Sequence, residues 1–246
     1  MLLHPSIYPL RGILYFVTHP TLWLRVICAL IIALLFAVGS TVVFFVFTLK
    51  PQAHALDSFM PEWLAWILAV FLVLVEIFAA SLLFLAIALP TVADQLFDDV
   101  VSMVTGCPAG EGSCARGCWL GCAHAGVWIM YLVVARLFLL VVTAPLHLLP
   151  IFGTILFLLL NGYLAAWALH LHWFDLRGFG FTAGKKFVRS HRQAYTSFGS
   201  VAVLLEMVPI IGMLFMFTNI VGSALWAIDM ERSGIMPALA VESSEV

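Results

Sequence analysis

The chain has 246 residues, of which 64% are hydrophobic and 10% charged, and its mean hydropathy is +1.12. Soluble domains are about half apolar and a quarter charged, so this composition excludes a water-soluble globule, which would lack the polar groups to cover its surface. The net charge of −2 makes no electrostatic case for nucleic acid as a partner. A bilayer accepts what water does not, and the expectation is an all-α integral membrane protein, a single membrane domain over residues 1–246.

Residues 1–20 are turn-rich, with His4-Pro5, Tyr8-Pro9 and His19-Pro20 around a short apolar patch, and read as an interfacial approach segment. A first span is predicted over 22–49, longer than the roughly 20 residues that crossing requires. Ala53-His54-Ala55 has the look of a signal cleavage site. The preceding run is too long for a signal h-region, and Lys50-Pro51 intervenes, so a retained helix is expected. A polar break over 50–61 precedes a second span, 62–89, which carries Glu76 and is expected to stop at Pro90.

Beyond Pro90, apolar residues recur at helical spacing through Val92, Leu96, Phe97, Val100 and Val104, with Asp94, Asp98 and Asp99 between them. This predicts an amphipathic interfacial helix over 91–104. A Gly/Pro/Ser/Cys loop leads to a third span, 119–144, which holds Arg136. Pro145 and Pro150 bracket a turn into a fourth span, 151–171. A second amphipathic helix is predicted over 184–198. Phe187, Val188, His191, Tyr195 and Phe198 lie on one side, and Lys185, Lys186, Arg189 and Arg192 point toward anionic membrane headgroups. The last apolar stretch, 198–228, is split by Pro209 and Gly212 into pieces too short to cross comfortably. It reads as a re-entrant hairpin, with one kinked fifth span as the alternative. Basic residues near Arg11, Arg25 and 185–192 fall on one face after four crossings, which places both termini in the cytoplasm.

Two segments echo each other. Leu149-Pro150-Ile151-Phe152-Gly153 and Val208-Pro209-Ile210-Ile211-Gly212 each lead into an apolar run with one asparagine, Asn161 or Asn219, and a tryptophan, Trp167 or Trp226. The asparagines are one position out of register. Paired broken helices can frame a transport site, and Pro and Gly also simply make turns; the sequence leaves both open.

The run Phe174-Asp175, Lys185-Lys186-Phe187-Val188-Arg189-Ser190-His191-Arg192, Ser197-Phe198-Gly199, Val208-Pro209-Ile210-Ile211-Gly212 and Val221-Gly222-Ser223-Ala224 resembles the CysZ/etoposide-induced membrane protein family. Pro9-Leu10-Arg11-Gly12 and His19-Pro20-Thr21-Leu22-Trp23 are similar to that family's opening pattern. The resemblance implies long membrane helices with partly penetrating hairpins. Its members include bacterial sulfate permeases, endoplasmic-reticulum proteins of animals, and fungal proteins of lipid droplets and the spore wall. Bacterial members carry a Gly-hydrophobic-Arg element at the head of the first long helix, linked with sulfate binding. Thr21-Leu22-Trp23-Leu24-Arg25 stands there, so of that element only Arg25 carries over. This departure and the Cys-bearing loop favour the eukaryotic branch.

Glu76 and Arg136 sit within spans, where an ion costs at least a few kcal/mol and must face a partner. They either pair with each other, or Arg136 coordinates an anion. Asn161, Asn219 and the amides near Gly153 and Gly212 either hold an anion at a broken helix end or bond between helices. Cys114, Cys118 and Cys122 share a helical face near His124. Soft-metal binding, palmitoylation and plain packing are all compatible with them, and the spacing matches no zinc pattern. His147, His170 and His172 lie near span ends. No catalytic constellation or cofactor motif stands out, so neither enzymatic chemistry nor a cofactor or metal is expected. Two functions follow: passage of a small, sulfate-like anion, or a non-transporting organising or recruiting role, with homo-oligomers open in either. The compartment is the endoplasmic reticulum or a lipid droplet in a eukaryote, and the plasma membrane in a bacterium.

Overall fold

The computed structural model describes residues 3–106, 134–135, 138–139, 141–142, 152–209 and 211–235. Among these, regular structure is helical throughout, with no strand. Four helical stretches are long and apolar enough to cross a membrane: Pro20–Asp57, Glu62–Thr105, Phe152–Leu176 and Gly212–Arg232. The protein is therefore an all-α membrane protein. Of the predicted span at 119–144 only 134–135, 138–139 and 141–142 are described, and these are helical; Arg136, the cysteines from Cys107 to Cys122, His124, His147 and Pro150 lie outside the described residues. The chain divides into two compact units, one of Thr21–Ala93 and one of Met1–Pro20 with Asp94–Val246.

The unit of 21–93 is made from two long helical stretches. Helix α2 (Pro20–Val43) opens on a proline, whose missing N–H costs nothing at a first helical position. The predicted polar break over 50–61 is confined to 58–61. A π turn (Phe44–Thr48) leads directly into α3 (Leu49–Asp57), so the helix passes through Lys50 and Pro51. Pro51 crowds the carbonyl four residues back, at Phe47, and the wider π turn gives that carbonyl room. Helix α4 (Glu62–Thr105) likewise runs through Pro90, correcting the expected stop and the separate helix at 91–104. Proline removes one backbone bond, to Ala86, and a membrane helix tolerates that loss as a kink. Leu24, Ile31, Leu34, Leu35, Ile67, Phe71, Phe78 and Leu83 are all exposed. Such an apolar surface is intelligible only as one wetted by lipid.

The other unit opens with α1 (Tyr8–Thr18), an ordered helix where a turn-rich segment was expected. It continues with the end of α4 and then α5 (Phe152–Leu169), α6 (Leu171–Leu176), α7 (Phe181–Ser190), α8 (Arg192–Glu206) and α9 (Gly212–Arg232). The predicted helix over 184–198 is two helices, broken at His191, where the backbone leaves helical geometry. The predicted break at 209–212 is present. Helix α8 ends at Glu206, and α9 folds back along it from Gly212. The second arm is longer than expected: its 21 residues reach the crossing length. A Cβ at Gly212 would stand 2.1 Å from the Glu206 carbonyl oxygen, so only glycine closes this turn.

Two glycine pairs set the packing. Helices α5 and α8 meet at Gly162 and Gly199, where a Cβ on Gly199 would lie 1.7 Å from the Gly162 carbonyl oxygen. Helices α1 and α9 meet at Gly12 and Gly222, where a Cβ on Gly12 would lie 2.3 Å from the Thr218 carbonyl oxygen. Lipid gives apolar helices no hydrophobic reason to associate, and close backbone approach supplies dispersion contacts and reach for hydrogen bonds. Ser200 Oγ donates across the first crossing to the Leu158 carbonyl at 3.2 Å. Opposing backbone cannot yield as a side-chain tip can. Gly199→Ala and Gly12→Ala should therefore each cost at least about 2 kcal/mol, an overpacking loss. Gly39→Ala, with nothing within 4 Å, should be neutral or mildly stabilising. Thermal unfolding of the three variants in one detergent checks this ordering.

Candidate functional site

The centre of the α1/α5–α9 unit is a buried histidine. His170 follows the last turn of α5 and is fully enclosed. Trp226 lies 4.7 Å from it between ring centroids, Trp173 and Tyr195 each 5.3 Å, Phe198 6.3 Å and Phe174 6.4 Å. A polar ring in such a cage must be satisfied. Nε2 lies 3.1 Å from the Ser223 carbonyl oxygen and Nδ1 lies 3.0 Å from the Tyr195 hydroxyl. A carbonyl only accepts, so in the neutral ring Nε2 carries the proton and Nδ1 accepts from Tyr195. Burial pushes the Tyr195 phenol well above its usual range, which keeps it a donor. His170 thereby ties α5, α8 and α9 with both nitrogens in use.

The last turn of α9 organises a layer of charge. Asp229 Oδ2 accepts from Tyr8 Oη and from Arg11 Nη1, both at 2.9 Å, tying α9 to α1. Burial and the Asp229 carboxylate push the Tyr8 phenol up to about 12, so it donates throughout the neutral range. Glu231 accepts a fork from Arg177, from Nε to Oε1 at 2.6 Å and from Nη2 to Oε2 at 2.5 Å. Trp173 Nε1 donates to the same Oε1 at 2.6 Å. Beside Trp173, His172 faces two carboxylates at the end of α4, with Nε2 2.8 Å from Asp98 and Nδ1 3.5 Å from Asp94. Arg232 donates to the Val104 carbonyl at 3.3 Å.

The sequence-derived candidates divide. Arg25 is half-buried in the second turn of α2, and Gly153 is buried in the first turn of α5. Asn161 is 3% exposed and donates to the Phe157 carbonyl of its own helix at 3.0 Å. Asn219, fully buried, donates to the Ala202 carbonyl at 3.1 Å and to Glu206 Oε1 at 2.9 Å, clamping α9 to α8. The Gly212 N–H is spent on the Val208 carbonyl at 2.8 Å. The two asparagines therefore bond to carbonyls and a carboxylate, and the turn amide is engaged within the turn. Glu76 accepts from Gln52 Nε2 within the 21–93 unit. Its Oε2 and Gln52 Oε1 are buried without a hydrogen-bond partner among the described residues. Lys185, Lys186, Arg189 and Arg192 are exposed on α7 and the start of α8, while Gly184 and Val188 face inward. Among the described residues no cluster of His, Cys, Asp and Glu has the arrangement to hold a metal ion.

Sequence reading missed His170 as a hub and missed Asp229, Glu231, Arg177 and Trp173 altogether. Their partners lie 25 to 221 residues away, and no local periodicity signals such pairs. Helices this apolar, locked by glycine contacts and by polar groups paired internally, define a multi-pass helical membrane protein. The family model described as Sulfate transporter CysZ/Etoposide-induced protein 2.4 matches residues 8–216, and the chain belongs to that family. No curated protein matches it significantly.

The Arg177–Glu231 fork is less than a third exposed at each end. A double-mutant cycle of Arg177→Ala and Glu231→Ala should return a coupling of about 1 kcal/mol or more, above an ordinary surface pair. Glu231→Ala alone should also shift Trp173 emission, read by tryptophan fluorescence in detergent.

Proposed function

We propose that this protein mediates the passage of a small oxyanion of the sulfate class across its bilayer, without covalent chemistry on the substrate. The family match over residues 8–216 carries this reading. Two features of the chain support it. Helices α2 and α4 present the lipid-wetted surface of a spanning hairpin. Arg25, near the head of the first long helix, stands where bacterial members of the resembling family place an arginine. The reading includes cytoplasmic termini and residence in the endoplasmic reticulum for a eukaryotic source, or the plasma membrane for a bacterial one; a lipid-droplet monolayer has no second aqueous face and suits only the non-transporting role.

A second reading, a membrane-organising protein that transports nothing, is favoured by one observation. Asn161, Asn219 and the Gly212 amide, the groups best suited to meet an anion at the broken helices, are engaged in bonds to the protein itself.

Radiolabelled sulfate uptake by reconstituted vesicles separates the two. The transport reading expects uptake above protein-free vesicles. It also expects Arg25→Gln to lower the flux at least about ten-fold at equal protein incorporation, the loss of one charge-assisted anion contact. Uptake no higher than in empty vesicles would leave the organising role.

A further inference from the structure

On the basic face of α7 and the head of α8, Lys185 Nζ lies 5.8 Å from the centre of the Phe181 ring. Of the chain's 11 lysines and arginines, four fall within residues 185–192, and no Asp or Glu occurs between Asp175 and Glu206. All four side chains are exposed. The other basic residue of that acid-free stretch, Arg177, is tied to Glu231.

The apolar side of α7 faces the protein, not lipid. Val188 is fully buried, and Phe187 packs edge-on against Trp173 and Phe174 at 6.3 and 5.9 Å. An amphipathic helix with its apolar stripe already occupied has little apolar surface left to insert. What it presents is charge. The position of Arg192 sharpens the point. It opens α8, at the positive end of the helix dipole, and the first turn has no acidic residue to offset it. A cation there does not favour α8 by itself, although it lies two residues past the end of α7.

The site lies close to a membrane exit. Four residues separate Leu176, the end of a span-length stretch, from Phe181, the start of α7, a reach of at most about 18 Å fully extended. A cluster of basic residues shortly after a span-length stretch is the arrangement that an anionic leaflet attracts.

We infer that the exposed face formed by Lys185, Lys186, Arg189 and Arg192 is a docking surface for anionic phospholipid headgroups of the bilayer that holds the protein, engaged by charge alone without insertion. The inference does not depend on whether the protein transports an anion.

The test uses the full-length chain in nanodiscs of phosphatidylcholine doped with phosphatidylserine, with co-purifying lipid counted by native mass spectrometry. The native chain should retain phosphatidylserine over phosphatidylcholine at least about five-fold beyond its share of the disc. In K185Q/K186Q/R189Q/R192Q the preference should fall to near unity, with the unfolding midpoint unchanged because these side chains are exposed. R189K/R192K, which keeps the charge, should retain it. Raising salt from about 50 mM to about 500 mM should abolish the preference in the native chain, since the Debye length shrinks to a few ångströms. Three results would overturn the proposal: equal retention by the glutamine variant, indifference to salt, or displacement of the lipid by an equal concentration of inorganic phosphate. Should the quadruple variant misfold, R192E alone must still lower the preference at least two-fold.

Discussion

Backbone-to-backbone contact at two glycine pairs is the constraint on which the α1/α5–α9 unit rests. Apolar side chains are as comfortable in lipid as against each other, so burial alone does not hold these helices together. Gly162 against Gly199 and Gly12 against Gly222 bring the helix axes close enough for other bonds to form. Ser200 reaches the Leu158 carbonyl only because α5 and α8 nearly touch. Asn219 reaches Ala202 and Glu206 because Gly212 folds the chain back sharply. The aromatic cage fills the space that these contacts enclose, with Phe198 stacked on Trp226 at 5.0 Å and His170 at its centre.

The two units handle their apolar residues in opposite ways. The stretch Pro20–Asp57 and most of Glu62–Thr105 expose them, as a lipid-facing pair does, whereas Gly212–Arg232 is largely buried although it has the length to cross. Helix α9 is a core element. Its middle supplies the small residues Gly222, Ser223 and Ala224 that neighbours press against, and its last turn carries Asp229 and Glu231 out to the charged layer. A carboxylate is costly within hydrocarbon, so its appearance only in the final turn fits a helix whose end meets a polar zone.

The membrane class and the long helices were legible because hydropathy acts locally and additively along the chain. The break at Pro209–Gly212 was legible for the same reason. Prolines 51 and 90 misled, because a rule drawn from soluble helices treats proline as a stop, and a bilayer accepts the kink in preference to exposed backbone. The basic run at 185–192 was visible in the sequence, but its inward apolar side was not, since only tertiary contact decides whether Val188 meets lipid or Trp173's neighbourhood. The His170 cage and the Asp229 and Glu231 pairs could not be read, because each joins residues with no shared periodicity. Glycines 12, 162, 199 and 222 were ordinary letters in the sequence; each acquires meaning only from the backbone opposite.

The partnership of α1 with α9 also sets an order of events during synthesis. Arg11 and Asp229 are 218 residues apart in the chain, and Gly12 meets the backbone of Thr218 and Gly222. At roughly 5–20 residues per second, the ribosome takes on the order of ten to forty seconds to make what lies between. Throughout that interval α1 lacks its partner. Helix α1 is made well before the helix that seats it, so its docking waits for α9.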